Sequence, residues 1–148
     1  MMMVLNDEWG PLFESMLSKL EDPTPLMLGI GEAVKTCTLE NFGATGRNRP
    51  NEWEMLSPSY QKWLKSHKHA PRDYATLELT GALKGSISDP KVNGFTVSIV
   101  AEDEKASYHQ LGEGRMKRKF FPINDNTGEL TDYCQLKIIE VLDKNFKA

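Results

Sequence analysis

The hydrophobic period changes twice along this chain, and those changes constrain the fold more than any single motif does. Leu5, Trp9, Leu12, Phe13, Met16, Leu17 and Leu20 recur at spacings of three and four, which lines one face of a helix. Phe95, Val97 and Ile99 instead alternate with Thr96, Ser98 and Val100, the period of a strand with one buried face. Leu130, Cys134, Ile138, Val141 or Leu142 and Phe146 return to helical spacing. Helices segregated from a short period-two stretch imply an α+β fold, with N-terminal helices and a C-terminal helix packed on a small antiparallel β-sheet. At 148 residues the chain is expected to form one domain with a core large enough to need no staples.

Turn chemistry divides that domain into four parts. Gly10-Pro11 places the start of the first helix near Gly10, because proline fits a first turn and not a helix interior. Glu21-Asp22-Pro23 stops it, and Thr24-Pro25 opens a second helix with Thr24 as cap. Leu26, Ile30, Ala33, Val34 and Cys37 line its inner side, completing a helical part over 1–42. A basic loop with a short helix from Ser57-Pro58 occupies 43–75, and a sheet region 76–122. There Thr80-Gly81-Ala82-Leu83 gives a capped turn, Gly85-Ser86-Ile87-Ser88 starts a strand, and Asp89-Pro90-Lys91-Val92-Asn93-Gly94 is turn chemistry ending in Asn-Gly, so that Leu83, Ile87, Phe95, Val97 and Ile99 face the helices. The last part, 123–148, carries the C-terminal helix, with Asn126 and Glu129 at capping-box spacing ahead of it.

Charge is segregated along the sequence although the net charge is only −3. Lys19 and Lys35 are the only bases in residues 1–40, among acids that include Glu14, Glu21, Glu32 and Glu40. Arg47, Arg49, Lys62, Lys65, Lys68 and Arg72 crowd into 41–75. A net negative chain does not coat nucleic acid by bulk electrostatics, so any DNA contact is not expected to dominate. The N-terminal Met1-Met2-Met3-Val4-Leu5 lacks a basic leader and is too short for a signal-peptide core. No stretch reaches the roughly 20 apolar residues of a membrane span. A cytoplasmic site of synthesis is therefore expected, with Cys37 and Cys134 as buried thiols.

Several local patterns invite a chemical reading. Gly29-Ile30-Gly31-Glu32-Ala33-Val34-Lys35-Thr36 resembles a phosphate loop, but Val34 stands where glycine must precede the lysine, and no strand leads into it. His67 and His69 lie near each other without a third ligand type at metal spacing. Trp53, Tyr60 and Trp63 interleave with cations, as in a stacking platform for single-stranded nucleic acid. The competing arrangement, which we expect, has the aromatics packed inward and the cations in a solvated rim. His109 could act as a base, yet no nucleophile stands at a recognisable spacing from it. His109 and Gln110 are expected to fix a turn by hydrogen bonds, with Gly112 closing their helix and Phe120 and Phe121 pinning a strand into the core. No catalytic group, cofactor or metal is expected.

Taken in order, Asn41-Phe42, Pro50, Trp53-Glu54-Met55-Leu56 and Tyr60, then Leu79-Thr80-Gly81-Ala82-Leu83 with Ser86-Ile87, then His109-Gln110-Leu111-Gly112, then Arg118-Lys119-Phe120-Phe121, resemble the phage virion-morphogenesis family. These are the tail-completion proteins of contractile-tailed phages and related prophages. The similarity runs over roughly residues 25–146, with two departures: Tyr108 touches the histidine, and Lys119 replaces the family's usual proline. The resemblance implies a non-enzymatic structural protein of the virion tail or neck, assembled in the host bacterial cytoplasm, that completes the tail and helps it join the head. It also implies a homo-oligomer, expected to be a hexameric ring, with other tail and head-tail connector proteins as partners. Interface candidates are Glu14, Glu21, Glu32 and Glu40 on one side. On the other are Arg47, Arg49, Trp53, Lys62, Lys65, Arg115, Lys117 and Arg118.

Overall fold

The computed structural model describes residues 10–42, 49, 50, 53, 57–66, 82–111, 118–124 and 126–146. Two long helices come first, α1 (Gly10–Glu21) and α2 (Thr24–Glu40), followed by α3 (Pro58–Ser66) and the short α4 (Ala82–Gly85). A hairpin of β1 (Lys91–Asn93) and β2 (Thr96–Ser98), the short α5 (Ala106–Gln110) and the C-terminal α6 (Asp132–Phe146) complete the described chain. The fold is α+β: helix-rich, with a two-stranded antiparallel sheet.

α2 is the organising helix, because it packs on α6 along one side and on the hairpin along another. Its glycines explain how. A Cβ on Gly31 would stand 2.5 Å from Pro90 Cβ and 2.7 Å from Val97 Cγ2, so the hairpin rests on bare helix backbone. A Cβ on Gly29 would stand 3.1 Å from Val141 Cγ1 of α6. The two glycines that imitate a phosphate loop in the sequence are thus close-approach points on two sides of one helix. Alanine is the better helix former by about 1 kcal/mol, but overpacking costs about 1–3 kcal/mol. Gly31→Ala is therefore expected to lose about 1–2 kcal/mol in chemical denaturation, because the rigid Pro90 ring has little room to yield. Gly29→Ala, opposed by one methyl group, is expected to stay within about 0.5 kcal/mol of wild type. Equal effects at the two sites would contradict this packing.

Where α2 and α6 meet, Cys37 and Cys134 are both free thiols and both buried. The hydrogen bond between them favours ionisation of Cys37, whereas the same bond and burial push Cys134 above the ordinary thiol range. At the end of the hairpin, Lys35 Nζ lies 2.6 Å from Asp89 Oδ1, and this bond and charge hold the exposed Asp89 carboxyl below its usual range.

The hairpin departs from the sequence expectation in its turn. Asn93 pairs with Thr96, so Gly94 and Phe95 form a two-residue loop, with Gly94 at φ +60°. Phe95 is a turn residue and 63% exposed, which corrects its expected inward placement. Val92 pairs with Val97 on the face toward α2. Beyond the hairpin the same arms continue to approach each other. Ser88 N donates to Val100 O, Glu102 N donates to Ser86 O, and Ile87 bridges to Ala101.

The ends of the helices also differ from their expected form. Thr24 is the first residue of α2, and its N–H is met by Asp22 Oδ1 at 3.3 Å, with no side-chain cap from Thr24. Asn126 and Glu129 do not cap α6. They sit in a turn between the bridged Ile123 and Leu130, and α6 begins after Thr131. The apolar stripe of α1, expected in the core, is only partly covered among its described side chains Met16, Leu17 and Leu20. Met16 and Lys19 are half-buried, with Lys19 Nζ 5.1 Å from the centre of the Phe146 ring, while Leu17 and Leu20 are exposed.

Candidate functional site

Residues that stand far apart in the sequence motifs converge on one spot at the end of α2. The core cluster there is Phe42, Leu83, Ile87, Ala106 and Phe120, flanked by Leu39, Trp53, Ile99, Ala101 and Phe121. Phe120 is fully buried, with ring centroids 5.3 Å from Phe42 and 4.8 Å from Phe121, both tilted. Tilted ring pairs avoid facing like partial charges and add to the burial of area.

A set of hydrogen bonds holds the segment 118–121 around that ring. Among the described residues this segment pairs with no strand, which corrects the strand expected at Phe120 and Phe121, and its backbone groups take side-chain or loop partners instead. Gln110 Oε1 accepts from both Phe120 N and Phe121 N at 3.0 Å. Arg118 N donates to His109 O at 3.0 Å. Asn41, buried at the end of α2, donates from Nδ2 to Phe120 O at 2.8 Å. Trp53 Nε1 donates to Lys119 O at 3.1 Å. Arg49 donates from Nε to Asn41 O at 2.9 Å, and its guanidinium carbon lies 3.6 Å from the centre of the Trp53 ring. Burial and, after it, the neighbouring Arg118 charge lower the Arg49 pKa from its ordinary value. α2, Arg49 with Trp53, α5 and the Phe120 segment are thereby tied together.

The arrangement is a clasp between four pieces of chain, and the side-chain hydrogen bonds of Gln110, Asn41, Trp53 and Arg49 that build it all end on backbone groups of the same protein. Among the described residues, no three His, Cys, Asp or Glu side chains come together as metal ligands. Among the described residues no helix is long and apolar enough to cross a membrane.

Of the residues singled out in the sequence, Leu83, His109, Gln110, Phe120 and Phe121 lie in or against the clasp, and Arg49 and Trp53 join it. Arg118 is buried rather than available on an outer face, which corrects its expected place among the interface candidates. Glu14, Glu21, Glu32 and Glu40 are exposed on α1 and α2, and Lys62 and Lys65 on α3. Tyr60 and Trp63 do not pack inward. They stack on each other outside, with centroids 5.6 Å apart and planes 9° from parallel. Arg47, Thr80, Gly81, Gly112, Arg115 and Lys117 lie outside the described residues, as do His67 and His69. The buried role of Asn41 carried no local signal, since asparagine just past a helix end ordinarily reads as a cap.

No curated protein and no solved structure matches the chain. A model of the phage virion morphogenesis family matches residues 8–138 of the 148, and it spans every piece of chain that meets in the clasp, so the chain belongs to the phage virion morphogenesis family.

Proposed function

We propose that the protein is a non-catalytic tail-completion component that helps join tail to head and works as a ring of copies of itself, six by expectation. The observation that carries this is the family match across residues 8–138, which supports a part in building the virion. Its position is the tail or neck, and its neighbours there are other tail and connector proteins. The surface is in keeping with such a role. The described acidic groups on α1 and α2 and the basic groups on α3 are exposed on different elements, so one copy can offer each sign to the next.

An infection in which the protein is absent tests the assignment directly. Heads and tails are expected to accumulate separately in electron micrographs, and supplying the wild-type chain is expected to restore joined particles. Joined, infectious particles in its absence would overturn the assignment. Self-association of the purified chain is checked by light scattering at low ionic strength. There we expect an oligomer that dissociates as salt is raised, because the Debye length falls from about 10 Å at 0.1 M to about 3 Å at 1 M.

A further inference from the structure

The thiols of Cys37 and Cys134 meet between α2 and α6, and the clasp does not use them. They are 1% and 0% exposed. Further along the same helix contact, Gly29 lies against Val141. The step forward from Gly29 to Cys37 and the step back from Val141 to Cys134 are nearly equal in length, at about 1.5 Å per residue. The two helices therefore run antiparallel, and the last turn of α2, with Cys37, stands level with the first turn of α6, with Cys134. The hydrogen bond from Cys134 favours the Cys37 thiolate, as does the charge of Lys137, against burial and the charge of Glu40. Asn41 pins the end of α2 to Phe120 O. The first turn of α6 is held by local bonds only, from Gln135 to Leu130 O and Thr131 O.

We propose that Cys37 and Cys134 are a dithiol site that closes into an intrachain disulfide, a covalent staple between α2 and α6, when the chain meets a small disulfide oxidant of the glutathione kind. The Cys37 thiolate attacks one sulfur of the oxidant. The oxidant's S–S bond breaks, and the small thiolate that leaves takes up the proton that Cys37 gave up. Cys134 then gives up its proton, attacks the Cys37 sulfur and expels the second small thiolate, which takes that proton. The protein loses two hydrogens and two electrons, and the oxidant becomes two thiols. Unwinding of the first turn of α6 admits the oxidant, since a helix end opens at lower cost than the whole fold. Among the described residues no third ligand type stands beside the two thiols, so they suit a disulfide better than a four-coordinate zinc. The bond would close a loop of about a hundred residues, which removes more freedom from the unfolded chain than a short loop does. A chain made in a reducing cytoplasm stays open there and is stapled in oxidising surroundings. That use rests on the proposed part in the virion, whereas the site itself does not.

The purified full-length chain tests the site. It is equilibrated with reduced and oxidised glutathione, folded and in concentrated urea, then quenched with acid, alkylated while unfolded and measured by mass spectrometry. A closed chain takes up no alkyl group, and an open one is labelled at both cysteines. A bond that stabilises the fold is stabilised by folding in equal measure. The folded chain is therefore expected to close at a glutathione ratio about a hundredfold more reducing than the unfolded chain. The urea midpoint of the closed chain is expected about 1–2 M above that of the open chain. Each ratio is approached from the open chain and from a chain closed in urea and refolded, so that slow entry to buried thiols is not mistaken for an unfavourable bond. Half-closure at the same ratio in the folded and unfolded chains would overturn the proposal. So would a folded chain that carries glutathione on one cysteine, or links to a second copy, instead of closing. Because the purified chain is used alone, these results are independent of its part in the tail, and a phage that joins heads to tails without the protein leaves the staple intact.

Discussion

Phe120→Ala is expected to lower the unfolding free energy by about 3–5 kcal/mol, the range for removing a fully buried aromatic ring. Nothing in the surroundings offers easy collapse. The ring is packed between Phe42 and Phe121, and its own backbone is held on both sides, by Gln110 at the N–H and by Asn41 at the carbonyl. A backbone fixed in this way keeps the cavity open. Stabilities of single domains are about 5–15 kcal/mol, so the loss is a large share of the total. Urea unfolding followed by circular dichroism measures it, with Phe120→Leu as a graded control expected to lose less. A loss below about 1.5 kcal/mol for the alanine variant would mean that the site can collapse and that the clasp does not depend on the ring.

Gln110→Leu should lose about 2–4 kcal/mol by a different route, because one carboxamide oxygen serves two backbone donors. Leucine has similar bulk and no acceptor, so Phe120 N–H and Phe121 N–H both stay unpaired where water enters poorly. An orphaned buried donor costs about 1–3 kcal/mol. Gln110→Glu retains an oxygen in the same place and is expected to keep more of the stability than leucine, which a purely steric role for Gln110 would not predict. Hydrogen exchange reads the mechanism at its source. Protection at the amides of Phe120 and Phe121 should collapse in the leucine variant and persist at the α2–α6 contact. Amides that stay protected in that variant would show that something other than Gln110 holds them.

Much of the framework was written locally. The three-and-four spacing across α1, α2 and α6 placed those helices, since a helix face is read from a few neighbouring residues. The alternation through Val97 and Ile99 placed the second arm of the hairpin. The first arm was misplaced: Lys91–Asn93, read as part of the turn, is β1, residues 85–88, read as the start of the strand, make only an isolated bridge at Ile87, and the turn itself is Gly94-Phe95. Asn-Gly and Gly-Phe are both adjacent pairs in which glycine can take positive φ, and the pairing of Val92 with Val97 against α2 selects between them. That slip moved Phe95 from the face toward α2 to the turn.

What remained hidden belongs to contacts between residues remote in sequence. Amphipathic spacing says which face of α1 is apolar, but coverage of Leu17 and Leu20 depends on how far α6 extends beside them. The interleaved aromatics near α3 are alike in sequence. Yet Trp53 meets the backbone of Lys119, 66 residues away, while Tyr60 and Trp63 stack on each other at the surface. Gly29 and Gly31 mimic a nucleotide motif because the sequence shows their spacing and not what lies opposite, which is Val141 on one side and Pro90 with Val97 on the other. The elements are therefore local in origin, fixed by periodicity and turn chemistry. The clasp and the exposure of Leu17 and Leu20 arise from which elements come within van der Waals and hydrogen-bonding range. Those interactions act over a few ångströms, so only the folded chain, which brings Asn41 to Phe120, decides them.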